Sequence, residues 1–196
     1  SNTPEFSFAG VNPCAEEPLP AGGSCLLGSL NLSQFVRDPF TDQAVFDFED
    51  FKKAVSVSVR ALNEVLEEGL PLHPLPEQQE SVRKWRQIGL GIMGLADMLI
   101  KMGITYGEPE ALELCDQIGF IMADTAIAAS ALLAKEQGPY PGYQRENVMG
   151  TPFFQANTSE ATVELVKKYG LRNSQLLTIA PTGTISTMLG ISGGIE

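Results

Sequence analysis

The chain has 196 residues, 43% hydrophobic and 19% charged, which suits one domain with a real core and not a disordered chain. Its formal net charge of −11 argues against a general DNA- or RNA-binding surface, because phosphate contacts need clustered Lys and Arg. No apolar run is predicted to span a membrane, and an odd count of three cysteines argues against a secreted disulfide framework. We therefore expect a cytoplasmic protein without nucleic-acid or membrane partners, with residues 1–196 in one domain.

Residues 1–36 carry few helix signals, and within them only 26–36 predict a short strand and turn. Helices dominate the predicted elements that follow. Apolar residues at helical spacing predict a helix that begins after Asp47, as N-cap, and stops at Gly69. The later predicted elements are a helix from Pro76 to Gly103 whose pattern three glycines interrupt between 89 and 94, a long helix from Pro109 to Gly138, a loop at 139–157, a short helix at about 159–169 and a buried strand at 175–180.

The segment Asn12-Pro13-Cys14-Ala15-Glu16 places an amide, a thiol and a carboxylate on alternate residues. If the segment is extended, side chains two residues apart share one face, so all three would point at one spot. That spot would offer a hydrogen-bond anchor, a reactive sulfur and a base, and Cys25 follows in the same region. The alternative is that Asn12 caps a turn, Cys14 packs and the carboxylates at 16 and 17 are solvated.

The other cysteine and the single histidine carry weaker signals. Cys115 lies on the apolar stripe of the long helix, which predicts a core position. A cysteine hydrolase would have to pair Cys14 with His73, which lies between prolines. No Cys-x-x-Cys or His-x-x-x-His pair exists, so no metal site is predicted.

A second candidate site follows the predicted strand at 175–180, with the sequence Pro181-Thr182-Gly183-Thr184-Ile185-Ser186. Gly183 permits a tight turn and close approach of the backbone, and three hydroxyl groups can donate hydrogen bonds. If a helix begins here, its free N–H groups and positive dipole end favour a phosphate. The alternative is an ordinary helix N-cap, because Thr and Ser are common there and the P-loop pattern is absent.

Four segments together resemble the large catalytic subunit of ribonucleotide reductases. They are the cysteine segment with the following Ser24–Leu32, then Arg86–Asp97, which is similar to a helix signature of the family, then Ala180–Ser186, and finally Gly193–Glu196. They occur in the family's order and span nearly the whole chain. The form is most similar to the adenosylcobalamin-dependent class, with the iron- or manganese-dependent class as its rival.

The resemblance implies a helix-rich α/β fold, part of a ten-stranded barrel with the cysteine (finger) loop threaded through its centre. It implies reduction of ribonucleotides to deoxyribonucleotides, with adenosylcobalamin as cofactor or, alternatively, a diiron or dimanganese radical subunit. It also implies a reductant of the thioredoxin or glutaredoxin type and allows a homodimer. A non-catalytic interaction or structural domain is the alternative from another class.

The resemblance also assigns roles to individual residues. Cys14 matches the position that becomes a thiyl radical and takes the 3′-hydrogen of the ribose. Glu16 matches the base for the 3′-hydroxyl proton, and Asn12 matches the amide that binds substrate hydroxyls. Cys25 matches one thiol of the reducing pair, and Pro181–Ser186 match the substrate-phosphate loop. The chain departs from the family pattern at Ala15, Glu17 and Leu26, none of which is a reacting group. The other redox cysteine of the family is not found before Cys14, so we expect a piece of a larger protein, inactive alone.

Overall fold

The structure, a computed structural model, describes residues 6–24 and 26–196; Cys25 lies outside them. The strands are β1 (Phe8–Val11), β2 (Pro18–Pro20), β3 (Leu27–Asn31), β4 (Val36–Arg37), β5 (Val45–Phe46) and β6 (Gly89–Met93). The helices are α1 (Phe48–Gly69), α2 (Pro76–Trp85), α3 (Leu95–Met102), α4 (Pro109–Gln137), α5 (Arg145–Met149), α6 (Pro152–Ala156), α7 (Glu160–Tyr169) and α8 (Gly183–Leu189). Single turns of 3-10 helix lie at Leu32–Phe35 and Leu70–Leu72.

Helix α1 confirms its predicted start and end. The Asp47 side chain accepts a hydrogen bond from the backbone N–H of Asp50, as an N-cap should. Phe51, Val55 and Val59 are completely buried on one face of the helix. Phe51 packs against Phe35 and Phe46, and α1 also packs against α4, so these apolar contacts stabilise α1 more than helix propensity does.

Helix α4 is the central helix of the fold and lies between α1 and α7. By length and composition alone it could cross a membrane, contrary to the expectation from the sequence. Half of its most apolar stretch is buried inside the fold, and Ile118, Ala126 and Leu133 belong to the shared core. The apolar character of α4 is therefore explained by packing against its two neighbours.

The parallel pair β3–β6, which we call the floor of the fold, lies beneath the candidate site. The pairing runs from Leu27 opposite Gly89 to Asn31 opposite Met93. The interpretation of positions 89–94 as an interruption within a helix is wrong, because 89–93 form this strand. Glycines are required there, since a Cβ on Gly91 would lie 2.4 Å from the carbonyl oxygen of Thr178.

The predicted strand at 175–180 is reduced in the structure to a single parallel bridge between Leu177 and Leu90. The Leu90 N–H donates to the carbonyl of Leu176, and the Thr178 N–H donates to the carbonyl of Leu90. The segment therefore lies on the free side of β6 and extends the parallel order to β3, β6 and 175–178. It leads directly into the loop before α8.

A buried ionic network fixes the chain where it enters β6 and the 175–178 segment. Arg86 is 3% exposed and donates to Glu67 at 2.5 Å and to Asn63 at 3.0 Å. Arg172 donates to the same Glu67 oxygen at 2.7 Å. Burial opposes the ionised form of Glu67, but the two guanidinium groups outweigh it, and the pKa of Glu67 lies below its usual value.

The predicted loop at 139–157 is wrong in part, because it contains the short helices α5 and α6. Thr151 caps α6 by accepting from the Phe154 N–H, and Phe154 is buried. Helix α7 begins as predicted, with Ser159 as its N-cap. Helices around a small parallel sheet give an α/β architecture, in agreement with the expectation from the sequence.

Candidate functional site

The cysteine segment forms the turn of a β-hairpin between β1 and β2. Asn12 and Glu17 close the turn, with the Asn12 N–H donating to the Glu17 carbonyl at 3.2 Å. The Ala15 N–H donates back to the Asn12 carbonyl, and Ala15 has φ of +62°. The segment is therefore not extended, and alternation along a strand does not bring its three polar side chains to one face.

The turn gives its polar side chains three different surroundings. Asn12 is buried, and its side-chain oxygen accepts from the Glu17 N–H at 2.9 Å, so it caps the turn as the alternative supposed. Cys14, in contrast, is exposed with a free thiol. Glu17 is 2% exposed, so it is not solvated.

Glu16 carries the clearest sign of function in the hairpin. Its side chain is half-buried, and its Oε2 atom is buried without a hydrogen-bond partner among the described residues. A buried carboxylate oxygen without a partner is costly, and such atoms call for an external donor. A hydroxyl group of a bound molecule would satisfy it.

In the second predicted site, Pro181–Ser186, Thr182 has φ of +52° and precedes α8. The prediction that Gly183 makes the turn is wrong, because Thr182 is the residue in the left-handed region. Thr182 does not cap the helix with its side chain, so the ordinary N-cap alternative does not hold; its hydroxyl accepts from the Gly194 N–H at 2.9 Å. Ser186 is buried, and its hydroxyl donates to the Gly183 carbonyl.

The first turn of α8 is open to solvent. Pro181, Gly183, Thr184 and Ile185 are exposed, and N–H groups in a first helical turn have no partner within the helix. The turn lies beyond the carboxyl end of the 175–178 segment, which is where ligands bind in parallel α/β sheets. The position thus suits an anion on chemical grounds.

The two sites are joined through one short stretch of chain. The Thr178 hydroxyl donates to the Glu16 carbonyl at 2.8 Å. Thr182 follows Thr178 by four positions, so their Cα atoms lie at most about 14 Å apart. The structure therefore places the cysteine hairpin and the loop before α8 in one neighbourhood, which spacing along the sequence could not reveal.

The remaining cysteine and histidine lie on elements other than the hairpin and the loop before α8. Cys115 is half-buried on α4, lines an apolar cavity of about 570 Å³, and has its pKa raised by burial. His73 lies in the connection between α1 and α2, where its carbonyl accepts from Gln79, and no hydrogen bond between His73 and Cys14 is found within 6–24 and 26–196. The cysteine hydrolase alternative is therefore unsupported. The described ranges also hold no group of three His, Cys, Asp or Glu that could bind a metal ion.

Several residues of the site were missed by sequence reasoning. Thr178, Gln87 and Gln175 hold the hairpin through long-range hydrogen bonds, which leave no local pattern. Gly193 lies so close to the loop before α8 that a Cβ would come within 2.7 Å of the Pro181 carbonyl oxygen. The resemblance marked the segment at 193–196, but nothing in the sequence predicted that it packs on this loop.

Comparison with known proteins agrees with this arrangement. Residues 7–196 match the family model described as "Ribonucleotide reductase, barrel domain". The chain is 38% identical to the vitamin B12-dependent ribonucleoside-diphosphate reductase of Thermoplasma acidophilum over 95% of its own length, and 34% identical to the ribonucleoside-diphosphate reductase subunit alpha of Chlamydia pneumoniae over 88%. It covers 21% and 18% of those proteins.

A solved structure shows the same fold. The class Id ribonucleotide reductase alpha subunit of Actinobacillus ureae superposes with a TM-score of 0.70 at 24% identity, over 98% of this chain and 32% of that one. The fold is of the α/β class and corresponds to a segment of that larger subunit. Because the family match covers nearly the whole chain, the chain belongs to the ribonucleotide reductase barrel-domain family.

Proposed function

We propose that the chain is part of the catalytic barrel of a ribonucleotide reductase that makes deoxyribonucleotides by thiyl-radical chemistry. The observation that carries the proposal is the hairpin, where the exposed Cys14 thiol lies two residues from the buried, unpartnered Oε2 of Glu16. The hairpin is bonded to the segment that leads into a loop suited to phosphate. Family membership supports ribonucleotide reduction as the reaction.

Each residue has a proposed role in that reaction. The Cys14 thiyl radical takes the 3′-hydrogen of the ribose, and Glu16 accepts the proton of the 3′-hydroxyl through its unpartnered oxygen. Asn12, whose side-chain oxygen accepts from the Glu17 N–H, is the proposed amide that binds substrate hydroxyls. Cys25 and a second thiol outside this chain reduce the 2′-carbon as its hydroxyl leaves as water, and they end as a disulfide.

The substrate phosphates would lie on the loop Pro181–Ser186. The open N–H groups of the first turn of α8 and the exposed Thr184 support this role, while Thr182 and Ser186 shape the loop through their internal hydrogen bonds. The loop is uncharged, so it would hold a diphosphate or triphosphate through backbone N–H groups and the helix dipole.

Adenosylcobalamin is the proposed cofactor of the longer protein, because the Thermoplasma relative is named for vitamin B12. The donor set of the described residues does not fit a metal centre of its own, since it holds no cluster of metal-ligating side chains. We propose that cobalamin, or the diiron or dimanganese subunit of the rival class, is held outside this chain. When bound, adenosylcobalamin supplies an organic radical; this chain's contribution is the exposed Cys14 thiol.

Other partners of the longer protein are proposed on the family alone. They are a ribonucleotide substrate, a thioredoxin- or glutaredoxin-type protein that reduces the disulfide, and a second subunit in a homodimer. We place the protein in the cytoplasm, where such reductants maintain thiols.

The test is deoxycytidine nucleotide formation by the full-length protein with dithiothreitol, with and without adenosylcobalamin, alongside Cys14→Ser. We expect cobalamin-dependent turnover that the substitution abolishes, because serine cannot form an equivalent radical. Turnover only with a metal-bearing radical subunit would keep the chemistry and move the protein to the rival class. Turnover that survives Cys14→Ser would refute the role of Cys14.

A further inference from the structure

Three side chains outside both predicted site segments tie the cysteine hairpin to the floor of the fold. The Thr178 hydroxyl donates to the Glu16 carbonyl at 2.8 Å. The side-chain amides of Gln175 and Gln87 both donate to the Pro18 carbonyl, at 3.0 and 3.5 Å, and also contact each other. One hydrogen bond thus holds the turn, and two converge on the start of β2.

Packing fixes the orientation of Thr178. Its side chain is nearly buried. Its methyl group lies close to Gly89 of β6, because a Cβ on Gly89 would come within 2.7 Å of it. With its methyl group against β6 and its N–H bonded to the Leu90 carbonyl, Thr178 is left with its hydroxyl directed at the hairpin. The same residue is therefore locked to β6 and bonded to Glu16.

Thr178, Gln175 and Gln87, which we call the clamp, lie at positions from which they can fix the distance between the hairpin and the loop before α8. Gln87 comes just before β6, while Gln175 and Thr178 flank the bridge that joins their segment to β6. The loop before α8 begins only a few residues after Thr178. Any shift of the hairpin along β6 would therefore change its distance from that loop, and errors of about 1 Å in the placement of reacting groups can cost on the order of a hundredfold in rate.

We propose that Thr178, Gln175 and Gln87 are positioning residues that hold the cysteine hairpin at a fixed distance from the phosphate loop before substrate binds. The inference rests on the proposed function for its catalytic consequence. Its structural content, a hairpin fixed by these three side chains, stands apart from that function and can be tested alone.

The structural test is amide hydrogen exchange of residues 12–17 in the full-length protein, in Thr178→Val, Thr178→Ser and a control. Valine keeps the shape but removes the donor, so we expect these amides to exchange about fivefold faster, as loss of one ordinary hydrogen bond implies. Serine should restore the wild-type rate. Thr158→Val is the matched control, because Thr158 also donates to a backbone carbonyl, that of Phe154, remote from the hairpin.

A second variant guards against misfolding of Thr178→Val. Gln175→Met removes one of the two amide donors at the partly exposed end of the clamp, and it should also speed exchange at 12–17. If both Thr178→Val and Gln175→Met leave exchange of the hairpin unchanged, the clamp is refuted. Neither outcome depends on turnover, so the hydrogen-exchange test can refute this inference independently of the proposed reaction.

The catalytic test compares nucleotide binding with turnover. In Thr178→Val we expect the Kd of a nucleoside diphosphate to be unchanged, because the phosphate loop is intact, and kcat per binding site to fall about tenfold or more. A residue that only stabilised the fold would lower the number of binding sites and leave kcat per site unchanged, which would overturn the positioning role. If wild-type protein binds no nucleotide and does not turn over, the proposed function fails while hydrogen exchange still decides the clamp.

Discussion

At the scale of single residues, Glu67 holds together two buried or nearly buried arginines from different parts of the chain. Arg86 lies just before β6, and Arg172 lies just before the segment that carries Thr178. Both arginines donate to the same Glu67 carboxylate oxygen. Burial lowers the pKa of Arg86, which shows how much this guanidinium depends on its partners. Removing Glu67 would leave both charges poorly compensated.

We therefore expect Glu67→Gln to lower the free energy of unfolding by roughly 2–3 kcal/mol, near the lower end for a broken buried ion pair because the Glu67 side chain is 35% exposed. Denaturant unfolding at neutral pH measures the change. Glu68→Gln is the control, since Glu68 is exposed on the same helix. Equal stability of the two variants would contradict the role given to the network.

The same carboxylate makes stability depend on pH. Because the folded-state pKa of Glu67 lies below its usual 4.5, its contribution is complete above about pH 4.5 and is lost as the pH falls through the lower folded value. We expect the difference in unfolding free energy between wild type and Glu67→Gln to shrink below pH 4.5. Asp47 and Glu136 also have lowered pKa values, but they are present in both proteins and cancel in the difference.

The sequence suggested candidate reactive residues in the hairpin, but it did not predict how the turn arranges their side chains. Alternation suggested a shared face for Asn12, Cys14 and Glu16, whereas the closure between Asn12 and Glu17 turns the chain instead. That closure and the bond from Thr178 depend on residues distant in sequence or on side-chain geometry, which a local pattern does not encode. The proposed roles of these residues stay predictions until turnover is measured.

At the scale of elements, the long helices were predictable because their caps and apolar stripes are local signals. Asp47 caps α1 as predicted, α7 begins at the predicted position, and α4 ends before Gly138. Strand β6 was not predictable, because a buried parallel strand of five residues shows no alternation and its glycines are typical of helix breaks. Its glycines are instead required by the close approach of the 175–178 segment.

This requirement predicts a sharp contrast between two glycines. Gly91→Ala would put a Cβ 2.4 Å from the Thr178 carbonyl oxygen, a backbone atom that cannot move cheaply, and we expect a loss of roughly 2–3 kcal/mol. Gly119→Ala on α4 meets no atom within 4 Å and should stabilise by about 0.5–1 kcal/mol. Urea unfolding of both variants checks the pair, and a tolerated Gly91→Ala would contradict the described packing of 175–178 on β6.

At the scale of the whole molecule, the described residues leave an apolar cavity of about 570 Å³ open between α4 and the 177–179 stretch. Phe153, Ile179 and Ile195 line it and are each at least half exposed. The side of the 175–178 segment that faces away from β6 makes no backbone hydrogen bond within the described ranges. Exposed apolar surface beside an unpaired backbone edge promotes association with other chains.

We therefore expect the isolated 196-residue chain to self-associate as its concentration rises, and Ile179→Lys to suppress this association. Lysine places a charge both in the apolar cavity and beside the unpaired edge, where bringing it out of water on association is costly. Leu72→Lys is the matched control, because Leu72 is 78% exposed and lies outside the cavity. Sedimentation velocity across a range of concentrations distinguishes the variants, and equal association of Ile179→Lys and Leu72→Lys would mean that the contact forms on another surface.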